Sequence, residues 1–114
     1  MTKHPHHAIV TGLIAALNER AAPDIVATLF TPDAVIDDTS TGHRFEGHRG
    51  IWDYVERYFV GYHTVTQLLA IDTLADGRTR ARVEFTGDFG CEIGLLDLIA
   101  DEEQRITRID ADLE

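Results

Sequence analysis

The stretch Phe30–Asp38, FTPDAVIDD, followed by the TSTG turn and the RFEG return, decides the fold. Within it Ala34, Ile36 and Asp38 fall on one side and Asp37 on the other, the two-residue period of a strand with one buried face. TSTGH supplies turn residues, and RFEG reads as the hairpin return. Working back, TPDA reads as a break, and PDIVATLF as a short helix opened by Pro23 at a favoured first-turn position. Before it, from Ala8 to Arg20, the apolar positions Ile9, Leu13, Ile14 and Leu17 recur at helical spacing. Working forward, a third helix starts at about His48, with Ile51, Val55 and Phe59 on one apolar face.

After Gly61 the pattern becomes extended: HTVTQLLAIDTL, a turn at ADGR, TRARVEF, a break at TGDFG, CEIGLLDLIA, a polar DEEQ turn and RITRIDADL. Four strands in a meander is the economical reading. In TRARVEF, Arg80, Arg82 and Glu84 oppose Ala81, Val83 and Phe85, so one face is wet and the other buried. GLLDLIA is apolar on both faces, which calls for helices on one side and a pocket or a second subunit on the other. Dimerisation through the sheet is the expectation. The order of elements predicts an α+β fold, a cone-shaped curved antiparallel sheet with three helices in the N-terminal half enclosing a pocket. Residues 1–7 read as a flexible terminus and 8–114 as one domain.

The 114 residues, 44% hydrophobic and 26% charged, suffice for one core and not for two. No apolar run is long enough to cross a bilayer and the first ten residues carry no export signal, so a cytoplasmic protein is expected. Twenty acidic against ten basic side chains give a net charge of −10, which disfavours nucleic acid and anionic ligands unless Arg44, Arg49, Arg78, Arg80 and Arg82 gather around one. A neutral or weakly polar ligand fits better. Cys91, the single cysteine, forms no internal disulfide and reads as core filler. GxSxG, P-loop, GxGxxG and HExxH patterns do not occur, and no cofactor is expected.

Among polar residues Asp97 stands out, because a carboxyl inside CEIGLLDLIA loses hydration wherever the strand packs, which favours its protonated form. A protonated carboxyl in an apolar wall can donate to an oxyanion; alternatively Asp97 faces a dimer interface or pairs with an arginine. Asp38, on the inward alternation, can reach a ligand proton, or else Asp37 and Asp38 simply open the turn. Of the histidines, His4, His6 and His7 lie in the loose terminus and no metal site is expected there, His43 and His48 flank the hairpin return and are expected in solvent, and His63 starts a strand near the cone opening. Trp52, Tyr54, Tyr58 and Tyr62 cluster around the third helix, mostly as packing, with one or two hydroxyls available to a pocket.

FTPDAVIDD with Gly47 and a helix beyond it, and later RVEFTGDFGCEIGLLDLIADEEQRI, resemble the bacterial ketosteroid isomerases within the SnoaL-like and nuclear transport factor two-like superfamily, over roughly Leu13 to Leu113. The resemblance implies Asp38 as catalytic base and Asp97 as protonated oxyanion donor, acting on a small, mostly apolar carbonyl compound. It departs at Ile14, where the family carries an oxyanion tyrosine on the first helix. Loss of one such donor costs on the order of 100-fold or more in rate, and Tyr54 or Tyr58 is the available replacement. The expected lining is Ile14, Tyr54, Tyr58, His63, Val83 and Phe85. Two alternatives stay open: epoxide hydrolase or polyketide cyclase chemistry on an inward cluster of Arg82, Glu84 and Asp110, and a non-catalytic binding or dimerising domain.

Overall fold

The apolar positions read at helical spacing, Ile9, Leu13, Ile14 and Leu17, are all buried along α1 (His7–Asn18), which lies against the sheet together with α2 (Pro23–Leu29) and α3 (Gly47–Val55). These positions come from a computed structural model that describes residues 6–19 and 23–114. His4 and Arg20 lie outside the described residues. α3 runs directly into a π-helical turn, Glu56–Val60, whose wider winding is closed by the Gly61 N–H donating to the Glu56 carbonyl at 2.9 Å. Ile51, Val55 and Phe59 are buried as one face, as their spacing required.

Six strands form one sheet in the order β2-β1-β6-β5-β4-β3. They are β1 (Phe30–Asp38), β2 (His43–Glu46), β3 (Val65–Thr73), β4 (Thr79–Gly87), β5 (Gly90–Ala100) and β6 (Ile106–Leu113). All neighbours are antiparallel except β1 and β6, which run parallel because the chain returns to β1 only after α3 and the meander. TPDA is no break between elements. β1 begins at Phe30, and the irregularity falls inside the strand: Phe30 faces Ile106 and Val35 already faces Arg108. Pro32, with no N–H to give, sits in the stretch that bulges out of the ladder. Further register shifts at Leu68/Ala70 and Ile99/Ala100 bend the sheet into an open cone.

The two faces follow the alternation. Ala34, Ile36, Ala81, Val83, Leu96, Leu98, Ile109 and Ala111 point under the helices and are buried, whereas Arg80, Arg82, Glu84 and Asp97 take the opposite phase. The strand that reads as apolar on both sides is less so in place: outward, Leu95 is half-buried and Ile99 exposed. Cys91 is exposed on that outward side rather than filling the core, because it shares the phase of Ile93 and Asp97. His48 is half-buried, not in open solvent, since its ring meets the Phe30 carbonyl at 2.9 Å and ties α3 to the start of β1. No helix among the described residues is long and apolar enough to cross a membrane.

Gly94 faces inward on β5, and the Phe85 ring lies directly across it, where any Cβ would run into the ring. Gly94→Ala should therefore cost about 1–3 kcal/mol through overpacking, read as a lower urea midpoint. An unchanged midpoint would contradict the close approach.

Candidate active site

Asp38 ends β1 on its buried phase and is only 6% exposed. Its two oxygens are held differently. Oδ1 accepts the Ser40 hydroxyl at 2.6 Å and the Ser40 backbone N–H at 3.0 Å, while Oδ2 accepts the Tyr54 hydroxyl at 2.6 Å. The bonds to Ser40 are the local turn that an aspartate before TSTG is suited to make, and Gly42, with φ of 72°, lets the chain reverse there. The carboxylate thus opens the turn and also faces inward. Tyr54 arrives from the middle of α3, itself buried. Burial first, then the Asp38 charge and the hydrogen bond to it, with Tyr58 adding a little, push the Tyr54 phenol well above its ordinary 10.0.

Above the pair opens a cavity of about 300 Å³, at the low end for small-molecule sites. Its walls are aromatic. Tyr54, Tyr58 and Tyr62 stand four residues apart along α3 and its exit, with Tyr54–Tyr58 ring centroids 5.4 Å apart and Tyr58–Tyr62 6.3 Å apart. The π-helical turn adds Phe59, 5.7 Å from Tyr54 and edge-on to Phe85 at 5.8 Å. The mouth is formed by the β1–β2 turn, by Phe89 on the β4–β5 hairpin, by Glu92 and by Leu113. The hairpin is fixed to the helix exit by the Asp88 N–H donating to the Tyr62 carbonyl at 2.9 Å.

Of the hydroxyls lining the cavity, those of Thr41 and Thr64 are spent on the Asp38 and Tyr58 carbonyls. Tyr58, by contrast, offers a hydroxyl with no hydrogen-bond partner among the described residues.

The SnoaL-like domain family matches residues 10–111, nearly the whole chain. This chain belongs to the SnoaL-like family. Solved structures of similar shape include a proposed polyketide cyclase from Sinorhizobium meliloti, 22% identical over 91% of this chain and 93% of that one, with a TM-score of 0.79. A proposed isomerase of the SnoaL-like family from Agrobacterium tumefaciens is 20% identical over 96% and 97%, TM-score 0.78. A proposed ketosteroid isomerase from Kribbella flavida is 19% identical over 96% and 77%, TM-score 0.79. At these identities the likeness carries the fold. No curated protein matches.

Several site expectations for this SnoaL-like chain need correction. Asp97 does not share the pocket with Asp38. It lies on the outward face beside Arg80, its register partner on β4, which binds it in a fork at 2.8 and 2.9 Å, and Arg78 comes within 3.8 Å. The strand phase that buries Leu96 and Leu98 sends Asp97 the other way, so an oxyanion donor in the pocket is excluded there by direction. The Arg82, Glu84 and Asp110 cluster fails for the same reason. Arg82 pairs with Glu114 at 2.7 Å and Asp110 with Arg108 at 2.9 Å, both outward. Ile14 is core on α1, and Val83 is wholly buried between sheet and helices, so neither lines the cavity. His63, in a left-handed conformation with φ of 54°, points into solvent and meets Asp88 at 3.0 Å. The arginines do not gather at the pocket.

Of the expected lining only Tyr54, Tyr58 and Phe85 are in place. Ser40, Phe59, Phe89 and Glu92 were missed. Ser40 was signalled by its position two residues after Asp38, and Glu92 by its phase, two residues before Gly94.

Tyr54 carries a pH signature. Its pKa is higher folded than unfolded, so its contribution to stability is complete below the ordinary phenol value near 10 and is lost as pH rises through the folded value. Ultraviolet titration should show one of the three tyrosines ionising late, and Asp38→Asn should bring it down without removing the part due to burial. A late tyrosine unmoved by Asp38→Asn would mean that the two groups do not interact.

Proposed function

We propose that the chain is an acid–base enzyme that enolises a small, mostly apolar carbonyl compound, with Asp38 as the base. The observation carrying this reading is a buried carboxylate in an aromatic cavity whose wall offers the phenol hydroxyls of Tyr58 and Tyr62, neither hydrogen-bonded among the described residues. Oδ1 of Asp38 already accepts two donors and Oδ2 only one, so the open lone pair is on Oδ2. That oxygen would take a proton from the carbon next to the carbonyl, the C–H electron pair passing into an enolate. The Tyr58 hydroxyl would donate to the enolate oxygen, the task the resemblance gave to a tyrosine at the position of Ile14. Tyr54 acts as a positioning residue that holds the base.

The protonated Asp38 then returns its proton to a second carbon, which is an isomerisation, or the enolate carbon attacks another carbonyl of the same molecule, whose C=O π pair moves onto oxygen and takes the proton back from Asp38, which is a cyclisation. Both names found among the structural neighbours begin from this one step, and both are compatible with the site. A second reading, ligand binding without turnover, draws support from the three donors that already occupy most of the Asp38 acceptor capacity.

The experiment is loss of α-protons from cyclohex-3-enone in deuterated water, followed by proton NMR. Asp38→Asn should slow exchange by about 100-fold or more, Tyr58→Phe by on the order of 100-fold, and Asp97→Asn by little. Exchange indifferent to Asp38 across a panel of ketones would leave only the binding reading.

The partner expected from the sheet, a second copy, is also our proposal. Outward Leu95 and Ile99 flank a row that runs Arg80, Asp97, Asp110 across neighbouring strands, a surface of mixed sign that can complement its own copy. Sedimentation should give a dimer that Leu95→Glu converts to monomer; a monomeric parent chain would end the proposal.

A further inference from the structure

The twelve described residues that line the cavity include two carboxylates, Asp38 at its base and Glu92 at its mouth, and no lysine, arginine or histidine. The Glu92 carboxylate makes no hydrogen bond or ion pair among the described residues, in contrast to the arginine-matched acids of the outward sheet face. The same lining holds two half-open rings, Tyr62 and Phe89, 46% and 43% exposed, set edge to face with centroids 6.2 Å apart. Arg57 approaches the Tyr58 ring at 5.9 Å but belongs to a separate surface hollow shared with Asp53 and Glu56. Aromatic faces next to an unneutralised carboxylate attract an alkylated ammonium, through the ring quadrupole and the charge together. A chain of net charge −10 also steers cations toward itself.

We propose that the ligand of this pocket carries a protonated or quaternary ammonium group, seated at the mouth between the Tyr62 and Phe89 rings and Glu92. Its less polar end then extends past Phe85 toward Tyr58 and Asp38. The inference rests on the reading of this cavity as the ligand site, and adds a charge to a ligand otherwise expected to be apolar. At the open end the cation keeps part of its hydration while its alkyl groups cover the rings.

The test compares choline with its neutral isostere 3,3-dimethylbutan-1-ol and with 3,3-dimethylbutanoate, by calorimetry and by NMR saturation transfer to the N-methyl protons. Choline should bind roughly 2- to 30-fold more tightly than the alcohol, and the carboxylate should bind worst. Glu92→Gln and Phe89→Leu, both at exposed positions, should each weaken choline several-fold and weaken the alcohol less. Equal affinity for choline and alcohol, no choline binding, or a preference for choline untouched by both substitutions overturns the inference. Exchange of cyclohex-3-enone protons, measured on the same preparations, keeps the two questions apart. Asp38-dependent exchange together with indifference to ligand charge would sink the cation and leave the enolising reading standing.

Discussion

The hydroxyl of Tyr54 and the carboxylate of Asp38 meet at 2.6 Å between two elements, α3 and β1, that the chain connects through the short β1–β2 hairpin. A charged carboxylate under the helices would be costly without donors, and here it has three. Moving α3 by one turn, or shifting β1 by one residue, would strand both groups. The hydrogen bond therefore depends on the packing of Ile51 and Val55 beneath α3 and on the pairing of Ile36 with Ile109 in the sheet. The same placement of α3 aligns Tyr58 and Tyr62 above the pair and so makes the cavity wall.

Strand alternation divides the charges of the molecule into two populations. Outward, Asp37, Asp110 and Asp97 lie side by side across β1, β6 and β5, and Arg108, Arg78 and Arg80 bridge them in turn. The arginines, Asp37 and Asp110 are partly exposed, so the pairs among them are worth little singly, but with the Arg80 fork on the buried Asp97 they leave none of the three acids without a cation. Inward, Asp38 is balanced by hydroxyls and a backbone N–H, with no ion pair among the described residues. That difference makes Asp38 chemically available and Asp97 unavailable, although both are buried to a similar degree, 6% and 7% exposed.

The architecture was legible because its signals are periodic and local: the helical spacing in α1, the Ile51–Val55–Phe59 face, the alternation in TRARVEF, and a turn chemistry that placed the hairpin before the third helix. The direction of Asp38 was legible for the same reason. Asp97 was misjudged because the apolar run CEIGLLDLIA shows no contrast between its faces. The bulge between Ile99 and Ala100 and the arginine across the ladder are tertiary facts that no single segment carries. The pocket wall was only half visible. Tyr54, Tyr58 and Tyr62 have an obvious four-residue spacing, but it takes the π-helical turn to bring Phe59 alongside Tyr54, and sheet curvature to bring Phe89 and Glu92 over the opening. Ile14 removed the expected donor from α1, and the Tyr58 hydroxyl that we propose in its stead sits on a helix whose hydroxyls the sequence could count but not aim.

The most direct test is the Tyr54 hydroxyl proton itself, sought as a slowly exchanging downfield line in proton NMR of the parent chain and of Tyr54→Phe, Asp38→Ala and Asp97→Asn. The account requires a line that vanishes in the first two variants and persists in the third. Its absence from the parent chain, or its survival in Asp38→Ala, would contradict a carboxylate held inside the pocket by that tyrosine.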